Sequence, residues 1–224
     1  MKLSEQAWQN SSKIINASIS HPFNQEMVDG TLAHDKFSYY IEQDSRWLHD
    51  FGRCHAMIAA KIKSEYAYIF LKHANSCFAA EEGIFNKNPG VIKTGLIAPA
   101  TISFSSYLVS ICATEPLELA IAVVLPCFWV YREVGLSVAK NSVDNNIYTS
   151  WIKNYSSEAF STSVNEVIKI FDELAENTTN EMRKKMLDVF YISTCLEWHF
   201  WNDAYNLAVF DDIKETALIG VTAE

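Results

Sequence analysis

From Phe37 onward, apolar residues recur at steps of three and four along the chain, through Tyr40, Ile41, Trp47, Leu48 and Phe51. That spacing lays them on one face of a helix and predicts a long helix over about residues 35–62. A shorter stripe of Leu3, Ala7, Trp8, Ile14 and Ile15 precedes it, with Ser4 as the candidate cap of a helix reaching about Asn16. The segment HPFNQEMVDGTL continues into helix and breaks at Asp29-Gly30. Ser64 can cap the next helix, which runs to about Asn86 and is ended by Asn88-Pro89-Gly90.

Further helices are predicted over about residues 99–112, 147–155 and 158–176. Thr114-Glu115-Pro116 starts another that extends through about Asn141, since proline is tolerated in a first turn. Thr178-x-x-Glu181 reads as a capping box opening a last helix through about Tyr205. No strand-like alternation, repeat or low-complexity stretch interrupts this series. The expectation is an all-α helical bundle forming one domain over residues 1–224.

Composition agrees with long helices. The 224 residues include only 7 glycines and 5 prolines, so tight turns are few. A net charge of -9 argues against a nucleic-acid partner, because phosphate binding needs clustered lysine and arginine. The longest apolar run, residues 117–131, is broken by Glu118 and Pro126. It is too short to span a bilayer and reads as a buried core helix, so no membrane partner is expected. The first residues hold no long apolar stretch and no small-residue cleavage site, which predicts no signal peptide. Five scattered cysteines without a CxxC pair point to reduced thiols and a cytoplasmic setting.

Cys127 has one local feature that the other cysteines lack: it follows Pro126 inside an apolar helix. Proline there removes a backbone donor and predicts a kink or local opening beside the thiol. A lone buried cysteine is otherwise a small hydrophobe. Asp44 falls on the apolar face of its helix, among Tyr40, Trp47 and Phe51, and Glu197 shares a face with Thr194, Trp201 and Ala204. A desolvated carboxyl has a raised pKa and can hold a proton near neutrality, as a general acid must; a structural hydrogen bond is the alternative role. Tyr131, one turn after Cys127, and Tyr155 are candidates to orient a ligand or the thiol. No ExxH pair, HExxH motif or glycine-rich phosphate loop is present, so neither metal nor organic cofactor is expected.

Three blocks, HPFNQEMVDGTLAHDKFSYYIEQDSRWL, LPCFWVYREVG and FDELAEN with EWHFWNDAY, together resemble the thiaminase II (TenA-type) aminopyrimidine aminohydrolases over nearly the whole chain. The resemblance implies an all-helical bundle of the haem-oxygenase-like class, a homotetramer without cofactors. It further implies hydrolysis of 4-amino-5-aminomethyl-2-methylpyrimidine to the hydroxymethylpyrimidine and ammonia in thiamin salvage, with thiamin itself as a further substrate. On this resemblance the nucleophile falls on Cys127, the general acid/base on Glu197 and the pyrimidine-binding carboxylate on Asp44. Tyr131 and Tyr155 line the site, Tyr155 placed to hold the thiol by a hydrogen bond. Trp47 and Phe104 stand where the family commonly has tyrosine, so an aromatic wall is kept while two hydroxyls are lost. That departure leaves open an altered specificity or a non-catalytic pyrimidine-binding role.

Overall fold

A computed structural model describes residues 1–88 and 90–210; Pro89 and residues 211–224, the last stretch of the expected single domain, lie outside the described residues. Among these residues the chain folds into nine helices with no strand. They are α1 (Leu3–Ile19), α2 (Pro22–Val28), α3 (His34–Lys61), α4 (Ser64–Lys87), α5 (Pro99–Thr114), α6 (Leu117–Asn141), α7 (Thr149–Tyr155), α8 (Glu158–Glu176) and α9 (Asn180–Asn206). The expected bundle is therefore present, and each predicted helix has a counterpart.

Helix α6 is the axis of the bundle. Ten successive residues, Leu119–Phe128, are all buried, so the helix is apolar on every side and is wrapped by α1, α2, α3, α5, α7, α8 and α9. By length and composition this helix could cross a membrane, yet 78% of its most apolar stretch is buried in the fold. It is the core helix that the sequence predicts. The helix also continues unbroken through Pro126, so the chain is not opened there as expected.

Several ends differ from expectation, each for a local reason. Ser4 does not cap α1; it lies inside the helix and gives both its N–H and its hydroxyl to the carboxylate of Asp172 on α8, at 2.9 and 2.8 Å. Lys2 caps instead, its N–H donating to Glu5 at 3.0 Å. Ser64 is the first residue of α4, with Lys63 at the cap. Pro116 is itself the cap of α6 and lies just before the first turn. The start of α9 is shifted by one residue from the capping box, since Thr179 rather than Thr178 accepts the Met182 N–H at 3.1 Å. Residues 20–21 separate α2 from α1, and the His21 ring caps α2 by accepting the Phe23 N–H at 3.1 Å. Helix α7 begins two residues late because the Asn146 side chain caps the preceding turn, accepting the Tyr148 N–H at 2.8 Å.

One close approach fixes α7 against the axis. A Cβ added at Gly135 of α6 would come within 2.7 Å of the Tyr155 backbone carbon, so only glycine lets the two elements meet. Tyr155 is also one of the predicted site residues. Gly135→Ala should therefore destabilise the fold by about 1–3 kcal/mol in urea unfolding, through overpacking against α7. Unchanged stability would show that α7 shifts freely.

Candidate active site

Three helices carry the candidate residues. Cys127 sits at the middle of α6, Glu197 on α9 and Asp44 on α3, and all three are buried, at 5%, 1% and 5% exposure. Tyr40 and Asp44 are one turn apart on the same face of α3, and Trp47 and Phe51 continue that face as stacked rings 4.3 Å apart. Phe104 of α5 stands behind Trp47, ring centres 5.7 Å apart.

A cavity of about 340 Å³ is lined by Cys127, Tyr131, Tyr155, Trp47, Phe51 and Cys77 among others. A second, of about 470 Å³, is lined by Asp44, Trp151 and Tyr155. Leu48, Ala80, Asn154, Tyr155 and Ser157 belong to both, so the two spaces adjoin along that row. Together they fall in the size range of small-molecule sites. Of the predicted site residues, Cys127, Trp47, Tyr131 and Tyr155 face the first space and Asp44 the second. Glu197 and Phe104 line neither; Glu197 is buried behind the thiol and Phe104 behind the indole.

Cys127 and Glu197 lie close enough to influence each other's ionisation. Burial, followed by the Glu197 charge, pushes the thiol well above its ordinary pKa. Burial raises Glu197 to about 8, partly opposed by the neighbouring Cys127 thiol and reinforced by Asp44. Its Oε1 has no hydrogen-bond partner. Asp44 is raised to about 7 by burial alone. With no cation among these causes, protonation is the route by which the fold avoids buried charge. The thiol and Glu197 are thus neighbouring buried acids that both favour their protonated forms.

Two supporting residues were not singled out from the sequence. Ser193, four residues before Glu197 on α9, donates its hydroxyl to the Val123 carbonyl at 2.7 Å, the same oxygen that lies 3.9 Å from the Cys127 sulfur. Tyr40 joins the phenols: its hydroxyl lies 3.4 Å from that of Tyr131 and accepts the Trp151 indole N–H at 3.2 Å, while the Tyr155 ring packs 5.0 Å from that of Tyr131. Its place four residues before Asp44 was the available signal. Among the described residues, no group of three or more histidine, cysteine or carboxylate side chains could hold a metal ion.

The raised carboxyls have a consequence for stability. Their ordinary pKa values are 3.8 for Asp44 and 4.5 for Glu197, so the folded state binds more protons between those values and about 7 and 8. Stability is therefore fully present at low pH and lost as pH rises through that window. Joint substitution Asp44→Asn and Glu197→Gln should raise the Tm by on the order of 5 °C at pH 8.5, with little change near pH 5. Thermal melts at the two pH values check this, and an equal shift at both would contradict it.

Sequence and fold comparisons identify the relatives. The pattern of the TENA/THI-4/PQQC family matches residues 8–207. An aminopyrimidine aminohydrolase of Bacillus subtilis (strain 168) is 33% identical, the match covering 99% of this chain and 98% of that protein. Another of that name, from Helicobacter pylori, is 28% identical over 92% and 99% of the two chains. The fold superposes on a TenA homologue from Pyrococcus furiosus with a TM-score of 0.86 at 22% identity, covering 91% and 100%. The TenA homologue of P. horikoshii OT3 gives 0.82 at 22% identity, covering 92% and 99%. With its helical bundle and a family match spanning almost its whole length, the chain belongs to the TENA/THI-4/PQQC family.

Proposed function

We propose that this protein is an aminopyrimidine aminohydrolase of thiamin salvage. It converts 4-amino-5-aminomethyl-2-methylpyrimidine and water to the 5-hydroxymethyl compound and ammonia, and it also cleaves thiamin. The observation that carries the reading is the buried thiol–carboxyl pair of Cys127 and Glu197 at a ring-sized cavity with Asp44 nearby. Relatives that bear this enzyme name match the chain end to end.

The chemistry follows from the proton inventory. Adding sulfur to an aromatic ring carbon breaks aromaticity, so the nucleophile must be soft and a ring nitrogen must be protonated as the C–S bond forms. Glu197 takes the thiol proton and delivers it to that nitrogen. The electron-rich ring then expels the aminomethyl nitrogen as ammonia, water adds at the exocyclic carbon, and loss of the thiolate restores the aromatic ring. Asp44 holds the 4-amino group and the neighbouring nitrogen, and thereby selects the carbon that meets Cys127. Tyr131, tied to Tyr40, and Tyr155, packed on Tyr131, position the thiol and the ring, while Trp47, backed by Phe104, is the stacking wall. As in the family resemblance, the working form is a cytoplasmic homotetramer that uses no cofactor.

A non-catalytic pyrimidine-binding role has the aromatic wall in its favour, since Trp47 and Phe104 lack the phenolic hydroxyls. Ammonia release separates the two. Cys127→Ser should abolish it while the pyrimidine still binds in calorimetry, and Glu197→Gln should slow it by about 10²–10⁴-fold. The reactive pair holds one proton rather than two. With Glu197 near 8, native kcat/KM should therefore climb roughly tenfold per pH unit from pH 6 towards 8. Binding without any ammonia from the native protein would overturn the enzymatic reading.

A further inference from the structure

Helix α9 brings two polar side chains to the part of α6 that carries Cys127. Ser193 and Glu197 are four residues apart, so they share one face of α9 on successive turns. Ser193 has no exposed surface, and neither has Val123 of α6, whose carbonyl accepts the Ser193 hydroxyl at 2.7 Å. That bond crosses between helices. The next residue, Thr194, instead donates to the Phe190 carbonyl one turn back on its own helix, at 2.8 Å. Back-bonding of that kind is the usual recourse of a hydroxyl inside a helix. Ser193 forgoes it for an oxygen on the axis of the bundle.

The same oxygen is within reach of the nucleophile. Helical register aims the Cys127 N–H at the Val123 carbonyl, and the Cys127 sulfur lies 3.9 Å from it. Three donors therefore converge on a carbonyl that has two lone pairs. The hydroxyl at 2.7 Å makes a full-strength bond, whereas a thiol is a weak donor and at 3.9 Å holds only loosely. Solvent cannot stand in for the hydroxyl, because Ser193 and Val123 are both closed off from it. Without that hydroxyl the second lone pair would be open to the thiol. A closer S–H bond would stabilise the neutral thiol, and the bare carbonyl oxygen would face any thiolate. Both effects oppose ionisation of Cys127.

We propose that Ser193 is a positioning residue for the nucleophile: by occupying the Val123 carbonyl it keeps the Cys127 proton off the backbone and leaves it for transfer to Glu197. This rests on the reading of Cys127 as the nucleophile and deepens it by assigning the group that frees its proton. The proton passes from sulfur to the Glu197 carboxylate and the negative charge passes the other way, so the step needs no co-reactant. Ser193 acts on the thiol only through one carbonyl. Its spacing from Glu197 ties the two parts together, since any shift of α9 along α6 moves the proton acceptor and the hydroxyl as one.

The S–H stretching band of Cys127 reads its hydrogen bonding directly, and infrared spectra isolate it as native protein minus Cys127→Ser. In Ser193→Ala, measured against the double variant that also carries Cys127→Ser, the band should shift to lower frequency as the thiol donates to Val123. In Ser193→Thr, which keeps the hydroxyl, it should stay at the native position. Ammonia release from the aminomethylpyrimidine should follow the band. Ser193→Ala should lower kcat by about tenfold with KM within about twofold, and Ser193→Thr should restore most of it. Ser193→Cys, close in volume and only a weak donor, replaces the alanine variant in the kinetic measurement if that variant does not fold, and should lose kcat in the same direction. An unmoved S–H band in Ser193→Ala would overturn the proposal. So would a shifted band with unchanged kcat, or a rise in KM that accounts for the whole loss. No ammonia release from the native protein counts against the proposed enzyme, whereas normal turnover by Ser193→Ala counts against the role of Ser193 alone.

Discussion

Three acidic groups buried without a counter-ion are the constraint on which this structure turns. Cys127, Glu197 and Asp44 come from three different helices and meet in the interior, with no cation among the influences that set their ionisation. A buried ion left unpaired would be costly, so the fold holds protons instead, near or above neutral pH. The same burial that destabilises the charged forms keeps the thiol and the carboxyl protonated, and so available as acids. Stability and chemistry therefore oppose each other here: the ionisation that readies the site is the one the fold resists.

The rest of the architecture holds those groups in place. Because α6 is apolar on every side, it can only be the axis, and that puts Cys127 at the centre. Immediately before Asp44, the Glu42 carboxylate accepts the N–H groups of Thr94 and Gly95, both at 2.8 Å. The Gln43 amide accepts the Ala98 N–H at 3.0 Å and donates to the Leu96 carbonyl at 3.1 Å. These bonds fasten the segment leading into α5 to the turn of α3 that presents Asp44. On the opposite wall, the absence of a side chain at Gly135 sets where α7 delivers Tyr155. Tyr40 then bonds Tyr131 and Trp151 while Tyr155 packs on Tyr131, so the candidate site is anchored to helices rather than built from a loop cluster.

Most of the fold was legible because periodicity carries it. The α3 stripe from Phe37 to Phe51 and the unbroken apolar run of α6 need no distant partner to be recognised, and α8 begins and ends where the pattern predicts. Caps were less legible, because a serine can be claimed by tertiary structure: Asp172 captures Ser4 from 168 residues away, and Lys2 is left as the cap. Pro126 illustrates the converse. Its local rule says kink, and the helix nevertheless continues through it. Within the site, Asp44 and Glu197 stood out as carboxyls on apolar faces, but their shared environment with Cys127 is a property of three helices meeting. Tyr40 and Ser193 looked like ordinary stripe residues, and only the packing of α9 on α6 reveals which carbonyl Ser193 meets.

The central claim is that Glu197 holds a proton at neutral pH beside the Cys127 thiol. Infrared difference titration of the native protein against Glu197→Gln, from pH 4 to pH 9, reads that carboxyl directly. The account predicts a protonated-carboxyl band that persists through pH 7, disappears with a midpoint near 8 and is missing from the variant. A midpoint in the ordinary glutamate range, near 4.5, would contradict it.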